Sequence, residues 1–131
     1  MKFHELNSPT LAKIDRDQTV VIIPIAAVEQ HGPHMPTGTD TILCTAVAEA
    51  VEARLSDRVL LTPTLWLGAS SHHLRLGATL DARLDNYVAT LCDIGTSLLD
   101  DGYQRLFFLN GHGGNIDPMR IAARTLQPDY V

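Results

Sequence analysis

The stretch TVVIIPIAAVEQHGPH, residues 19–34, indicates both the fold and a candidate site. Residues 19–27 are β-branched or small and almost entirely apolar, which is typical of a strand covered on both faces in a parallel sheet. Residues 29–39 carry two glycines and two prolines among polar side chains, so they predict a loop. A buried strand is therefore expected to lead directly into a polar loop that contains histidines.

The same alternation of short apolar runs and longer amphipathic segments continues along the chain. Helical periodicity begins at Asp40 and continues to about residue 55, with Thr39 as the expected N-cap. The later elements expected are a strand at 59–64, an irregular loop at 68–77, a helix at 84–101 closed by Gly102, a strand at 105–109, and a helix at 116–126 ended by Pro128. This order predicts an α/β fold, layered α/β/α with a mainly parallel sheet.

Composition narrows the class of protein. The 131 residues are 45% hydrophobic, which predicts a single domain over residues 1–131. A net charge of -5 without any basic run argues against nucleic-acid binding. The apolar runs are shorter than the roughly 20 residues of a membrane-spanning helix, and the N-terminus lacks signal-peptide features. We therefore expect a cytoplasmic protein without membrane association.

Four further side chains are expected to be structural. Cys44 and Cys92 lie in helical segments outside any CxxC pair, which favours buried thiols. Trp66 and Tyr103 lie beside predicted strands, where aromatic residues usually pack in the core.

Polar clusters follow the first and third predicted strands, at the edge where open α/β sheets bind ligands. In the first cluster, a turn at Gly32 could direct Glu29, His31 and Asp40 toward one point, and such donors suit Zn²⁺, Mn²⁺ or Fe²⁺. The second cluster places His112 between glycines. Taken singly, each cluster also fits a connecting loop with surface histidines and a charge at a helix start.

Three ordered stretches together resemble the creatininase family. VEQHGPH at 28–34 is followed by Asp40, GASSHHLRLGATL spans 68–80, and FFLNGHGGN spans 107–115. The resemblance implies a hydrolase that activates water with one or two divalent metal ions against a carbon–nitrogen bond. It further implies that Glu29 and His112 hold one ion, His31 holds the other and Asp40 bridges them.

Other polar residues near these motifs are weaker candidates. His34, Ser70, His72, His73 and Asn115 could hold substrate, orient ligands or move protons. Among them, His73 and His34 are the candidates for a catalytic role.

The sequence also departs from the family pattern. Some members carry a metal-binding glutamate two residues after the second histidine, where this chain has Gly114, and others supply one from a downstream stretch; residues 76–79 also differ from the usual FPGT. We expect a truncated chain, a ligand donated by another chain, or lost catalysis, with truncation favoured. The resemblance also implies a homo-oligomer, in the family a hexamer.

Three functions therefore compete. The leading one is an amidohydrolase for a small cyclic amide or a formamide, which needs a small-molecule amide substrate. The others are a noncatalytic or incomplete metal-binding domain that needs a partner chain, and a peptidase of the mycofactocin-maturation type. The sequence does not distinguish their substrates.

Overall fold

A parallel sheet of three strands organises the protein. The computed structural model describes residues 1–127. The strands are β1 (Val20–Ile25), β2 (Val59–Leu61) and β3 (Arg105–Asn110), in the order β2-β1-β3. β1 is central and parallel to both neighbours, so the carboxyl ends of all three strands lie at one edge of the sheet.

Four α-helices and three short 3₁₀ segments accompany the sheet in the described residues. The helices are α1 (Ser8–Leu11), α2 (Thr39–Arg54), α3 (Leu84–Asp100) and α4 (Ile116–Leu126), and the 3₁₀ segments are Phe3–Glu5, Ser71–Leu76 and Gly113–Asn115. The predicted bounds of α3 and α4 are confirmed to within one residue, and Gly102 follows α3 with a φ of 94°. The predicted role of Pro128 lies outside the described residues.

The helices cover both faces of the sheet, as the layered α/β/α prediction required. Val21, Ile23 and Ile25 of β1 pack on one face with α3 and α4, through a cluster that includes Leu91 and Ala122. The other face packs against α2 in a smaller cluster of Ile22, Ala48, Val59 and Leu61. Within residues 1–127, no helix has the length and apolar content needed to cross a membrane.

β2 is three residues shorter than the predicted strand at 59–64. The Val20 N–H of β1 donates to the Arg58 carbonyl, and further along the same parallel ladder the donor to the Thr62 carbonyl would be the nitrogen of Pro24. Because proline has no N–H, that bond is absent. Thr62 still donates its N–H to the Ile22 carbonyl, but the chain beyond it leaves the ladder and pairs with β1 again where Leu65 donates to the Pro24 carbonyl.

The larger apolar residues whose spacing predicted α2 are not buried in the structure. Ile42, Leu43 and Val47 are more than half exposed, whereas Cys44 and Ala48 are buried. Small side chains face the sheet because α2 approaches it closely: a Cβ at Gly111 would lie 2.6 Å from the Cys44 Cβ. The predicted burial of Cys44 is thus confirmed, and Cys92 is partly buried against the core.

Two smaller expectations were wrong. Thr39 is the first residue of α2 rather than its N-cap, because its hydroxyl donates to the Pro36 carbonyl instead of accepting a helix N–H. Trp66 is 47% exposed. Tyr103, in contrast, is buried as expected, with the Arg16 guanidinium 4.5 Å from its ring centroid.

Candidate metal centre

Polar side chains from β1, β3 and α2 meet at the carboxyl edge of the sheet. Glu29 follows β1, His112 follows β3, and Asp40 lies in the first turn of α2. The Thr41 hydroxyl donates to the Ala27 carbonyl at 2.7 Å, which ties the start of α2 to the end of β1. Gly111 lets β3 come close to this turn, since any side chain there would meet Cys44.

Asp40 lies between two histidines. One of its carboxylate oxygens, Oδ2, is 2.9 Å from His112 Nδ1, and the other, Oδ1, is 3.2 Å from His31 Nε2. Asp40 thus contacts two histidines that come from different loops. The four side chains named as metal ligands from the sequence therefore lie in one cluster.

His31 is oriented by its own loop. Its Nδ1 lies 3.1 Å from the Glu29 carbonyl oxygen, which can only accept a hydrogen bond. Nδ1 therefore carries the hydrogen, and in the neutral ring Nε2 presents a lone pair toward Asp40. This hydrogen bond, with the nearby Asp40 and Glu29 carboxylates, raises the pKa of His31, although partial burial opposes the shift.

His112 shows the same arrangement in a buried position, with 5% of its surface exposed. Its Nε2 lies 3.1 Å from the Ala69 carbonyl and 3.2 Å from the Ser70 hydroxyl. Nε2 is thus the protonated nitrogen, and Nδ1 of the neutral ring faces oxygens of Asp40 at 2.9 Å and of Glu29 at 3.4 Å.

These donors fit a divalent cation. A nitrogen lone pair that faces two carboxylate oxygens is repulsive unless a positive charge, a proton or a metal ion, lies between them. Imidazole and carboxylate are ligands for Zn²⁺, Mn²⁺ and Fe²⁺. Potential ligand atoms lie within 4.8 Å of one another in two groups, Glu29 with His31 and Asp40, and Glu29 with His72 and His112.

Glu29 is buried, with 4% of its surface exposed, and its carboxylate is held from a distant loop. Oε2 lies 2.8 Å from His73 Nδ1, while Oε1 is the oxygen nearest His112. The Glu29 N–H donates to the Thr37 carbonyl, which closes the loop between β1 and α2. His73 therefore contacts a candidate ligand directly.

The remaining candidates separate into different positions. His34 is exposed, and no hydrogen bond between it and the four candidate ligands occurs in the described residues. Asn115 and Ser70 are fully buried. Asn115 accepts the Ala69 N–H and donates to the Ala26 carbonyl, so it connects the loop after β2 to the end of β1.

Sequence reasoning missed two supports of the site. Asp81 accepts the Ser70 N–H at 2.7 Å, and the Ala69 carbonyl accepts from His112. Asp81 lies in a stretch without a motif, and a backbone carbonyl leaves no sequence signal. A groove of about 850 Å³ lies at the opposite edge of the sheet, beside Val20, Val59 and Arg105, and includes none of the clustered side chains.

The fold and the cluster define an α/β domain with a candidate divalent-metal centre at the carboxyl edge of a parallel sheet. A family model described as creatinine amidohydrolase matches residues 4–131. The chain belongs to the creatininase family.

Two curated relatives illustrate the range of activities in the family. The chain is 35% identical over 132 residues to the mycofactocin precursor peptide peptidase of Mycobacterium ulcerans, covering 95% of this chain and 52% of the relative. It is 31% identical over 127 residues to the creatinine amidohydrolase of Pseudomonas putida, covering 88% and 47%. The chain thus spans about half the length of the curated relatives it matches.

Solved structures agree with this assignment. A mutant creatininase complexed with creatine superimposes with a TM-score of 0.88 at 27% identity, over 95% of this chain and 50% of the other. A structure named as a manganese creatininase gives 0.86 at 26% identity, with the same coverage. Another, of a mutant creatininase, is described as the Zn-Zn type.

Proposed function

We propose that this chain is the metal-binding part of a hydrolase that cleaves a carbon–nitrogen bond in a small cyclic amide or a formamide. One observation carries the proposal: carboxylate oxygens of both Glu29 and Asp40 lie close to Nδ1 of His112, the nitrogen that has no proton in the neutral ring. The manganese and zinc forms of related creatininases support a divalent metal as the positive charge at this point.

The roles of the residues follow from their contacts. Glu29, His31, Asp40 and His112 would hold one or two Zn²⁺ or Mn²⁺ ions, with Fe²⁺ also compatible with the donors. A bound ion lowers the pKa of its water and polarises the carbonyl of an amide. The Ala69 carbonyl and the Glu29 carbonyl each hold one histidine in the tautomer that presents its other nitrogen to the centre.

His73 contributes through Glu29. Its Nδ1 hydrogen bond to Oε2 leaves Oε1 directed at His112, so we assign His73 a positioning role and keep its catalytic role as a prediction. The catalytic role expected for His34 also stays a prediction, because its side chain is exposed and no hydrogen bond within residues 1–127 joins it to the cluster.

The experiment is elemental analysis of metal per chain after identical dialysis. The parent protein is compared with Asp40→Ala and with Asp85→Ala, which removes an exposed aspartate from the first turn of α3. We expect one or two ions in the parent and in Asp85→Ala, and a loss in Asp40→Ala. Absence of metal from the parent would refute the proposal.

A peptidase is the second candidate, and the 35% identity to a mycofactocin precursor peptide peptidase favours it. Metal-loaded protein would be offered creatinine, a formamide and a short peptide, with Asp40→Ala as the inactive control. Turnover of the peptide alone would select the peptidase. Metal uptake without turnover of any of them would support an incomplete domain that needs a partner chain.

Association with another chain is also proposed. Ile42, Leu43 and Val47 on the outer side of α2 are 52–61% exposed, and Phe107 on β3 is 53% exposed. β3 is an edge strand in the described sheet, and parallel sheets are usually covered on both faces. Light scattering after size-exclusion chromatography is expected to show an oligomer that Val47→Asp dissociates; a monomeric parent protein would contradict the expectation.

A further inference from the structure

The position of Gly114 admits no side chain. A Cβ there would lie 2.0 Å from the Ala69 carbonyl oxygen and 2.6 Å from His112 Nε2. The backbone carbonyl cannot move away without disturbing the loop that Asn115 holds. A side chain at position 114 would therefore displace the Ala69 carbonyl or the His112 ring.

The ring of His72 borders the same space. Its Cε1 would be 3.1 Å from a Cβ at Gly114. The ring is nearly parallel to that of His112, with centroids 5.9 Å apart and an interplanar angle of 11°. A nitrogen of His72 lies within 4.8 Å of ligand atoms on both Glu29 and His112. An imidazole thus lies beside Gly114, within reach of the Glu29 and His112 ligand atoms.

The loop that carries His72 is anchored on both sides. Ser70, which is fully buried, donates its N–H to Asp81 and accepts the N–H of His73 on its carbonyl. His73, the residue after His72, has its Nδ1 2.8 Å from Oε2 of the Glu29 carboxylate. His72 lies between these two anchors, so its backbone position beside the cluster is defined although its side chain is exposed.

We propose that His72 is a metal ligand, which completes a cation site with Glu29 and His112. Two imidazole nitrogens and one carboxylate oxygen are a donor set for Zn²⁺ that leaves a position open for water or substrate. The inference rests on the proposed metal centre and goes beyond the four ligands that the family motifs suggest.

The test measures binding of the metal alone. Metal-free protein, prepared with a chelator, is titrated with Zn²⁺ by calorimetry, and with Co²⁺ while its visible absorption spectrum is recorded. The proteins are the parent, His72→Ala, His72→Gln and His4→Ala, the last removing another exposed histidine. We expect both His72 variants to bind Zn²⁺ about 10–100-fold more weakly, with a changed Co²⁺ spectrum, and His4→Ala to match the parent.

The possible failures are distinguishable. If the parent protein binds neither ion, the proposed metal centre fails together with this inference. If the parent binds and both His72 variants keep its Zn²⁺ affinity within about twofold and its Co²⁺ spectrum, only the role of His72 is overturned. Circular dichroism checks that the variants keep the parent fold. We expect them to do so, because the His72 side chain is exposed.

Discussion

Replacing Asn115 by alanine is expected to destabilise the protein strongly. The Asn115 side chain is fully buried, with Oδ1 3.0 Å from the Ala69 nitrogen and Nδ2 2.9 Å from the Ala26 oxygen. Its side chain makes no capping hydrogen bond to α4, so the expected effect is worked from these two bonds. In Asn115→Ala, the Ala69 N–H and the Ala26 carbonyl would both lose their partner.

The magnitude follows from these two groups. A buried backbone group left without a partner costs about 1–3 kcal/mol, so the free energy of unfolding is expected to fall by about 2–6 kcal/mol. In a domain of this size, each kcal/mol lowers the melting temperature by about 3–4 °C. Asn115→Ala should therefore melt about 6–24 °C below the parent protein.

Thermal unfolding followed by circular dichroism measures this difference. Asn86→Ala is the control, because Asn86 is exposed on α3 and its side chain contacts only the exposed Arg83 in the described hydrogen bonds. Its melting temperature should stay within about 2 °C of the parent, as is usual for surface substitutions. If Asn115→Ala also melts within about 2 °C of the parent, the connection between the loop and β1 carries no stability, and the reasoning is wrong.

Three further predictions concern the glycines, the thiols and the metal. Gly68→Ala should lower the melting temperature, since its Cβ would lie 2.4 Å from the Ala26 carbonyl oxygen, whereas Gly113→Ala, in open space, should not; equal melting temperatures would contradict this. Burial raises the pKa of the Cys44 thiol, so in the folded protein it should react with iodoacetamide more slowly than Cys92, as mass spectrometry would show. Chelator treatment should lower the melting temperature, and Mn²⁺ or Zn²⁺ at about 100 times its dissociation constant should raise the free energy of unfolding by about 2.7 kcal/mol. An unchanged melting temperature after both chelator and added metal would argue against a structural metal.

Much of the fold could be predicted because local patterns and the final structure agree. The periodicity of α3 and α4 and the apolar run of β1 each reflect a face or segment that is buried in the structure. α2 is the exception, since its larger apolar residues point outward and Cys44 and Ala48 face the sheet. Periodicity located this helix but not its buried side, because small side chains pack where backbones approach closely.

The candidate site shows the same division. Its location followed from the rule that ligands bind at the carboxyl ends of parallel strands. The contacts of His73 with Glu29 and of His72 with His112 could not be predicted, because they join loops that are about 40 residues apart in sequence and meet only when the chain has folded. The burial of Asn115 could not be predicted either, because a glycine-rich turn is typical of an exposed loop.

The sequence by itself determined the order of elements, the layered α/β/α architecture and the polar motifs, because each depends on residues that are neighbours in the chain. Only the tertiary structure decided where β2 ends, because the hydrogen bond that β2 lacks there would come from Pro24 on the neighbouring strand β1, and proline has no N–H. It also decided which oxygen or carbonyl faces each histidine, and hence which nitrogen is free for a metal. Those features depend on distances between separate segments, which no local pattern encodes.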